Sequence, residues 1–194
     1  MARSLKKLIA AVFCLVLLFE LSSCSANTKS AEQTGFSMGS LVGIKLYGKD
    51  ASALENANLL AEVVKTDERI SKNYEGSDIY RVNASGERGE TVSKETYDEL
   101  KSVASVYSAS HERAAVLSGA LTELWGFDTD DFRLPSEDEI LSAKEKCGDD
   151  KLIFGDGNTV YIPDGAKLNL GSAGKGIALD EAINRINEIN SQGG

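Results

Sequence analysis

The segment Leu168-Asn169-Leu170-Gly171-Ser172-Ala173-Gly174-Lys175-Gly176 joins an apolar strand pattern to the start of a helical one. The first N–H groups of a helix have no partner within it, and glycines leave no side chain in the way of a ligand. Such a terminus favours an anion, a pyrophosphate for example, and Lys175 adds a positive charge beside it. The spacing is not that of a P-loop, because Gly176 stands where Gly-x-x-x-x-Gly-Lys-Ser/Thr requires a hydroxyl. From these residues by themselves two readings stand: a phosphate site, and a tight strand-to-helix turn whose glycines serve packing.

Other reactive side chains are few. His111, the sole histidine, has no Ser or Cys dyad partner to suggest nucleophilic catalysis, and is expected as surface or core filler. Cys14 and Cys24 belong to the N-terminal segment, which leaves Cys147 and excludes a disulfide framework or a cysteine metal cluster. The formal net charge of −9 implies no nucleic acid partner.

The elements that must position the loop follow from periodicity. Residues 36–47 alternate as one strand, closed by Gly48-Lys49-Asp50. Residues 51–70 place Ala57, Leu60, Ala61 and Val64 on one helical face. A second helix, capped by Ser93, carries Tyr97, Leu100, Val103, Ala104 and Tyr107 on one stripe. Ser136 and Glu139 form a capping box for a third helix that runs to Cys147 and ends at Gly148. Residues 151–154 and 159–162 flank Gly155-Asp156-Gly157-Asn158 as a hairpin. A last helix, from about 174 to 190, turns Leu179, Ala182, Ile183 and Ile186 to one side. The class is α+β, in one domain large enough to bury a core without cross-links.

The N-terminus has a basic head, Arg3, Lys6 and Lys7, before an apolar run over 8–21 that only Glu20 interrupts. The run falls short of the ~20 apolar residues of a membrane-spanning helix and fits a signal peptide. Leu21-Ser22-Ser23-Cys24 is similar to the lipobox of bacterial lipoproteins, which implies cleavage before Cys24 and a lipid on its sulfur. The expected organisation is a signal peptide over 1–23, a polar lipid-anchored tether over 24–34 and a folded domain over 35–194, facing outside the cytoplasm from a membrane of the cell envelope. Removing residues 1–23 takes away three positive charges and one negative, which moves the formal charge from −9 to −11.

Residues 168–180 (LNLGSAGKGIALD) resemble the Asp-Leu-Gly-x-x-Ala-Lys-Gly-x-x-x-Asp motif of the ApbE family, the FAD:protein FMN transferases. Three blocks agree in the same order: Phe36-Ser37-Met38-Gly39-Ser40, Ser77-Asp78-Ile79-Tyr80-Arg81-Val82-Asn83, and Gly119-Ala120-Leu121-Thr122-Glu123-Leu124-Trp125-Gly126-Phe127. The resemblance implies a T-fold-type mixed sheet with packed helices. It also implies Mg²⁺-dependent transfer of FMN from FAD to a Thr or Ser hydroxyl of an acceptor flavoprotein of the envelope, releasing AMP; some relatives hydrolyse FAD instead. In such phosphoryl transfer, positioning and neutralisation of the phosphates supply most of the catalysis. By the same resemblance Met38 lines the FAD site, Tyr74 contacts the flavin nucleotide, Lys175 is the basic residue of the loop, and the Ser172 backbone carbonyl helps to hold Mg²⁺. Without it, Met38 reads as core filling and Tyr74 as a half-exposed loop aromatic.

The chain departs from the family pattern in three places. Asn169 replaces an Asp, leaving an amide that can hydrogen-bond an adenine or ribose edge but is no carboxylate. Glu112-Arg113-Ala114-Ala115-Val116-Leu117 stands where the family has Gly-Ala-Phe-Asp-x-Thr. The chain also stops before the strands that carry the remaining metal ligands, so it is expected to be the N-terminal part of a longer protein, with transfer impaired. Two other functions remain open: a non-catalytic flavin- or solute-binding lipoprotein, and an acceptor of covalent FMN at Thr122, since Ser118-Gly119-Ala120-Leu121-Thr122 comes near an acceptor motif.

Overall fold

The computed structural model describes residues 29–192 apart from 111–113, 128 and 130; the expected signal peptide, Cys24 and His111 lie outside them. The described chain begins with an antiparallel hairpin, β1 (Ser30–Ser37) and β2 (Ser40–Tyr47), where one strand was expected. Met38 and Gly39 turn it with φ of 51° and 67°, a left-handed pair whose twist matches that of the strands. A two-residue turn reverses which parity faces inward. Val42, Ile44 and Leu46 therefore face the protein, whereas Phe36 is 73 % exposed.

β1 also starts inside the expected tether, because its polar residues serve the backbone rather than the solvent. Gln33 Nε2 donates to the Leu54 and Ala57 carbonyls at 3.0 and 3.2 Å, and its Oε1 accepts from Leu60 N at 3.2 Å. Those carbonyls and that N–H are the open ends of two consecutive helices, α1 (Ala51–Asn56) and α2 (Leu59–Ile70). The expected single helix is broken at Asn58, whose side chain caps α2 by accepting from Ala61 N. The restart moves the buried face of α2 to Leu59, Val63, Thr66 and Ile70, one position from the stripe expected. Leu60 instead lies against the hairpin, so close to Gly35 that a Cβ there would meet its Cδ2 at 2.4 Å.

Ser77 caps α3 (Asp78–Ser85), a helix too short to announce itself by periodicity. Ser93 caps α4 (Lys94–Ser108), with Leu100 and Ala104 buried and Tyr97, Val103 and Tyr107 packed beside them, as expected. α5 (Gly119–Leu124) and α6 (Glu137–Lys144) follow, the latter with the expected capping box. α6 stops short of Cys147 because its last turn tightens, Lys146 N and Cys147 N bonding three residues back. β3 (Glu90–Thr91), β4 (Ile153–Phe154) and β5 (Thr159–Tyr161) form an antiparallel sheet in the order β3-β5-β4, and β4 with β5 is the expected hairpin.

α7 (Gly174–Gln192) buries Ile177, Ala178 and Ala182. Leu179 and Ile183, expected inward, are 60 % and 44 % exposed. Their displacement follows from what α7 meets: Gly174 packs on Ile70, and Arg69 of α2 reaches Glu181 at 3.6 Å, which sets the rotation of the helix. Burial raises the Glu99 carboxyl above its ordinary value, against the pull of Arg69, which grips it bidentately. The class is α+β, and the strand pairings among the described residues are antiparallel.

Candidate functional site

The glycine loop is built on alternating pegs. Leu168 and Leu170 are buried, and between them the Asn169 N–H donates to the Val116 carbonyl at 2.8 Å. Asn83 fixes the first peg from both sides, its Oδ1 accepting from Leu168 N at 2.7 Å and its Nδ2 donating to Leu168 O at 3.1 Å. The Leu170 carbonyl then accepts from Ala173 N and Gly174 N, which turns the chain into α7. Asp149 supports the facing strand of chain: its Oδ1 accepts from Leu117 N at 3.0 Å, while the buried Oδ2 has no partner among the described residues. Burial raises this carboxyl above its ordinary value, with the Leu117 and Val116 N–H groups opposing the rise.

Asn169 serves the loop itself. Its Oδ1 accepts from Gly171 N at 2.8 Å and its Nδ2 donates to Thr122 Oγ1 at 3.1 Å. The Thr122 hydroxyl in turn donates to the Gly119 carbonyl at 2.9 Å. Ser172 is exposed, and its Oγ lies 2.7 Å from the Tyr107 hydroxyl, so α4 ties down the tip of the loop. Lys175 is exposed in the first turn of α7, and no ion pair holds it among the described residues. Arg81 ties Asp78 and Glu90 together below α3. Burial opposes the charge of Asp78, but hydrogen bonds from Ser93, Thr96 and Arg81 outweigh it and hold the carboxyl below its ordinary value.

Met38 reaches this region from the hairpin turn. It and Ala173 of the loop pack against the same core cluster, the one that contains Ile70 and Leu170. Tyr74 lies four residues beyond Ile70, half exposed, with its ring across the backbone of Gly76, where a Cβ would sit 2.9 Å from Cε1. Met38, through Asp67, and the loop, through Gly174 on Ile70, both meet the last turn of α2, Tyr74 belongs to the segment that leaves α2, and Lys175 stands in the first turn of the helix that follows the loop. Sequence reasoning gave no role to Asn83, to Tyr107 beyond its place on the α4 stripe, or to Asp67, whose carboxylate accepts from Met38 N.

Mg²⁺ was expected through the Ser172 carbonyl, with its other ligands beyond the chain. Among the described residues no three His, Cys, Asp or Glu side chains converge to hold a metal, and one carbonyl does not make a site. A separate cleft of about 530 Å³ between residues 83–88 and 164–167 has none of the expected site residues in its walls. Its cations are already engaged, Arg88 on the Ala84 and Ser85 carbonyls and Lys167 on that of Asn83.

The sequence model of the ApbE family matches residues 38–193. Among solved structures, the ApbE protein of Thermotoga maritima is 26 % identical with a TM-score of 0.77, over 84 % of this chain and 54 % of that one. The apo flavinyl transferase ApbE of Pseudomonas stutzeri is 24 % identical at 0.72, over 83 % and 53 %, and the flavin transferase ApbE of Vibrio cholerae 21 % at 0.71, over 83 % and 54 %. The latter two, at such identity, support the fold alone. The chain spans about half the length of these relatives. No curated protein matches it.

Proposed function

The chain belongs to the ApbE family, and on that footing we propose that it supplies the FAD-binding portion of a flavin transferase that moves FMN from FAD to a Thr or Ser hydroxyl of an acceptor protein, releasing AMP. The observation that carries this reading is the convergence of Met38 and the glycine loop on one core cluster, with the loop locked by Asn83 and Tyr107 before any ligand arrives. A preformed loop spends little binding energy on ordering. The exposed Lys175 side chain and the Lys175 and Gly176 N–H groups of the first turn of α7 then face the pyrophosphate, the Gly174 N–H being held by Leu170, and Met38 and Tyr74 contact the nucleotide. The same reading holds residues 1–23 to be a signal peptide and Cys24 to carry lipid, which anchors the enzyme at a membrane outside the cytoplasm; no helix among the described residues is long and apolar enough to cross a membrane.

Calorimetric titration of the mature chain with FAD tests the binding. We expect weak binding that Lys175→Ala reduces roughly tenfold, the loss of one charge-assisted contact. Absence of binding at millimolar FAD would sink the proposal. With Mg²⁺ and an acceptor peptide added, we expect no FMN on the peptide by mass spectrometry, since the chain spans about half the length of the flavin transferases it resembles; a flavinylated peptide would overturn that part.

One observation favours a second reading, a flavin binder without transferase activity: Asn169 stands where the family motif has an Asp, and its amide is engaged by Gly171 of the loop and Thr122 of α5. The acceptor reading fares worse, since the Thr122 hydroxyl is held by Asn169 and Gly119 in a half-buried position.

A further inference from the structure

Two non-glycine residues among those described have left-handed backbones, Met38 at φ 51° and Asn158 at φ 59°. Asparagine tolerates that conformation because its short amide bonds locally; methionine has no such means, and its Cβ crowds the carbonyl oxygen. Something outside the turn must hold Met38 there. The Asp67 carboxylate does so: its Oδ2 accepts from Met38 N at 2.6 Å and from Ser37 Oγ at 3.0 Å. Asp67 stands in the last turn of α2, where its own carbonyl accepts from the Ser71 N–H that closes the helix. One carboxylate oxygen on a packed helix therefore grips both the turn residue and its predecessor, through bonds of the strong, charge-assisted kind.

We propose that Asp67 is a positioning residue that presets Met38 in its left-handed conformation, so that the methionine wall of the site exists before a ligand arrives. The flavin reading above is needed only for the identity of that ligand. A glycine at 38 would adopt the turn unaided but would present no side chain to the core cluster against which Met38 packs. Asp67 thus lets a residue with a contact surface occupy a position whose backbone favours glycine.

The sequence holds two methionines, Met1 and Met38, so ¹³C labelling of methionine methyls in the full chain yields a resonance that reports on Met38. In Asp67→Ala we expect that signal to move towards the random-coil position and sharpen. Asp67→Asn keeps an acceptor oxygen for Met38 N and should restore it. A double-mutant cycle separates the clamp from general destabilisation: Asp67→Ala should lower the melting midpoint by a few degrees in the Met38 chain and by less than half as much in Met38→Gly. A Met38 methyl unmoved by Asp67→Ala, or equal losses in the two backgrounds, overturns the proposal. FAD should shift the same methyl in the unmutated chain; no shift counts against the flavin reading, while the clamp still stands or falls on the other two measurements.

Discussion

Two apolar clusters of unequal size stand out among the described residues, and they bear different loads. The larger gathers side chains from α2, α3, α4, the β3-β5-β4 sheet and the glycine loop, with Ile79, Val82, Leu100, Leu117, Val160 and Leu168 fully covered. The smaller consists of Leu54, Ala57 and Leu59, with Ala31, Ile44 and Leu46 of the hairpin and Ile186 and Ile189 of α7 against it. On the hairpin side apolar groups face outward: Phe36 and Leu41, directly opposite each other in the register, are 73 % and 75 % exposed. A two-stranded hairpin is marginal without a partner layer, so the small cluster, Gln33 and the Asp67 grip on the turn together carry it. The glycine loop hangs from the larger cluster, and Met38 reaches across from the hairpin to the same support.

Truncation in each cluster tests this division. Leu168→Ala, at a fully buried position, should cost about 2–5 kcal/mol in urea unfolding and take the glycine loop with it. Leu54→Ala should instead act locally, speeding amide exchange in β1, β2 and the end of α7 while the amides of α4 and β5 keep their protection. If the two variants lower protection everywhere alike, the clusters are one cooperative unit and the distinction fails.

Acid offers a control outside both clusters. The Ser136 N–H and the Arg133 guanidinium hold the Glu139 carboxyl down to about 2, from an ordinary 4.5. A depressed carboxyl stabilises the fold above its unfolded value, and that contribution fades as pH falls from 4.5 through about 2. Over that window we expect the start of α6 to fray, seen as faster exchange at Glu139 N, before the hairpin loosens. The smallest effect belongs to Phe36→Thr and Leu41→Thr. On an open face each should change stability by no more than ~0.5 kcal/mol, and a larger loss would show that the outer face of the hairpin is covered in solution.

What could be read from the sequence was what acts over three or four residues. The Ser136 capping box, the Ser93 cap with its α4 stripe, the β4–β5 hairpin and the strand-to-helix placement of the glycine loop all follow from neighbours in the chain. What escaped depends on partners far along it. Gln33 looks like part of a solvated tether until the α1 carbonyls meet it, and Met38 looks like one more apolar position of a strand until Asp67 bends the chain there. Leu179 and Ile183 satisfy helical periodicity, yet the rotation of α7 is decided by Ile70 and Arg69 on another helix. In the site, the motif marked the loop, and the groups that immobilise it, Asn83 and Tyr107, became visible only in three dimensions.

The hairpin register runs from Ser30↔Tyr47 at the tether end to Ser37↔Ser40 at the Met38 turn. At roughly 3.4 Å per residue that is a stem about 24 Å long. In the lipid-anchored protein proposed above, Ser30 follows Cys24 by six residues, so the chain enters the fold at the Ser30↔Tyr47 end of the hairpin and the Met38 turn lies at the opposite end of the stem.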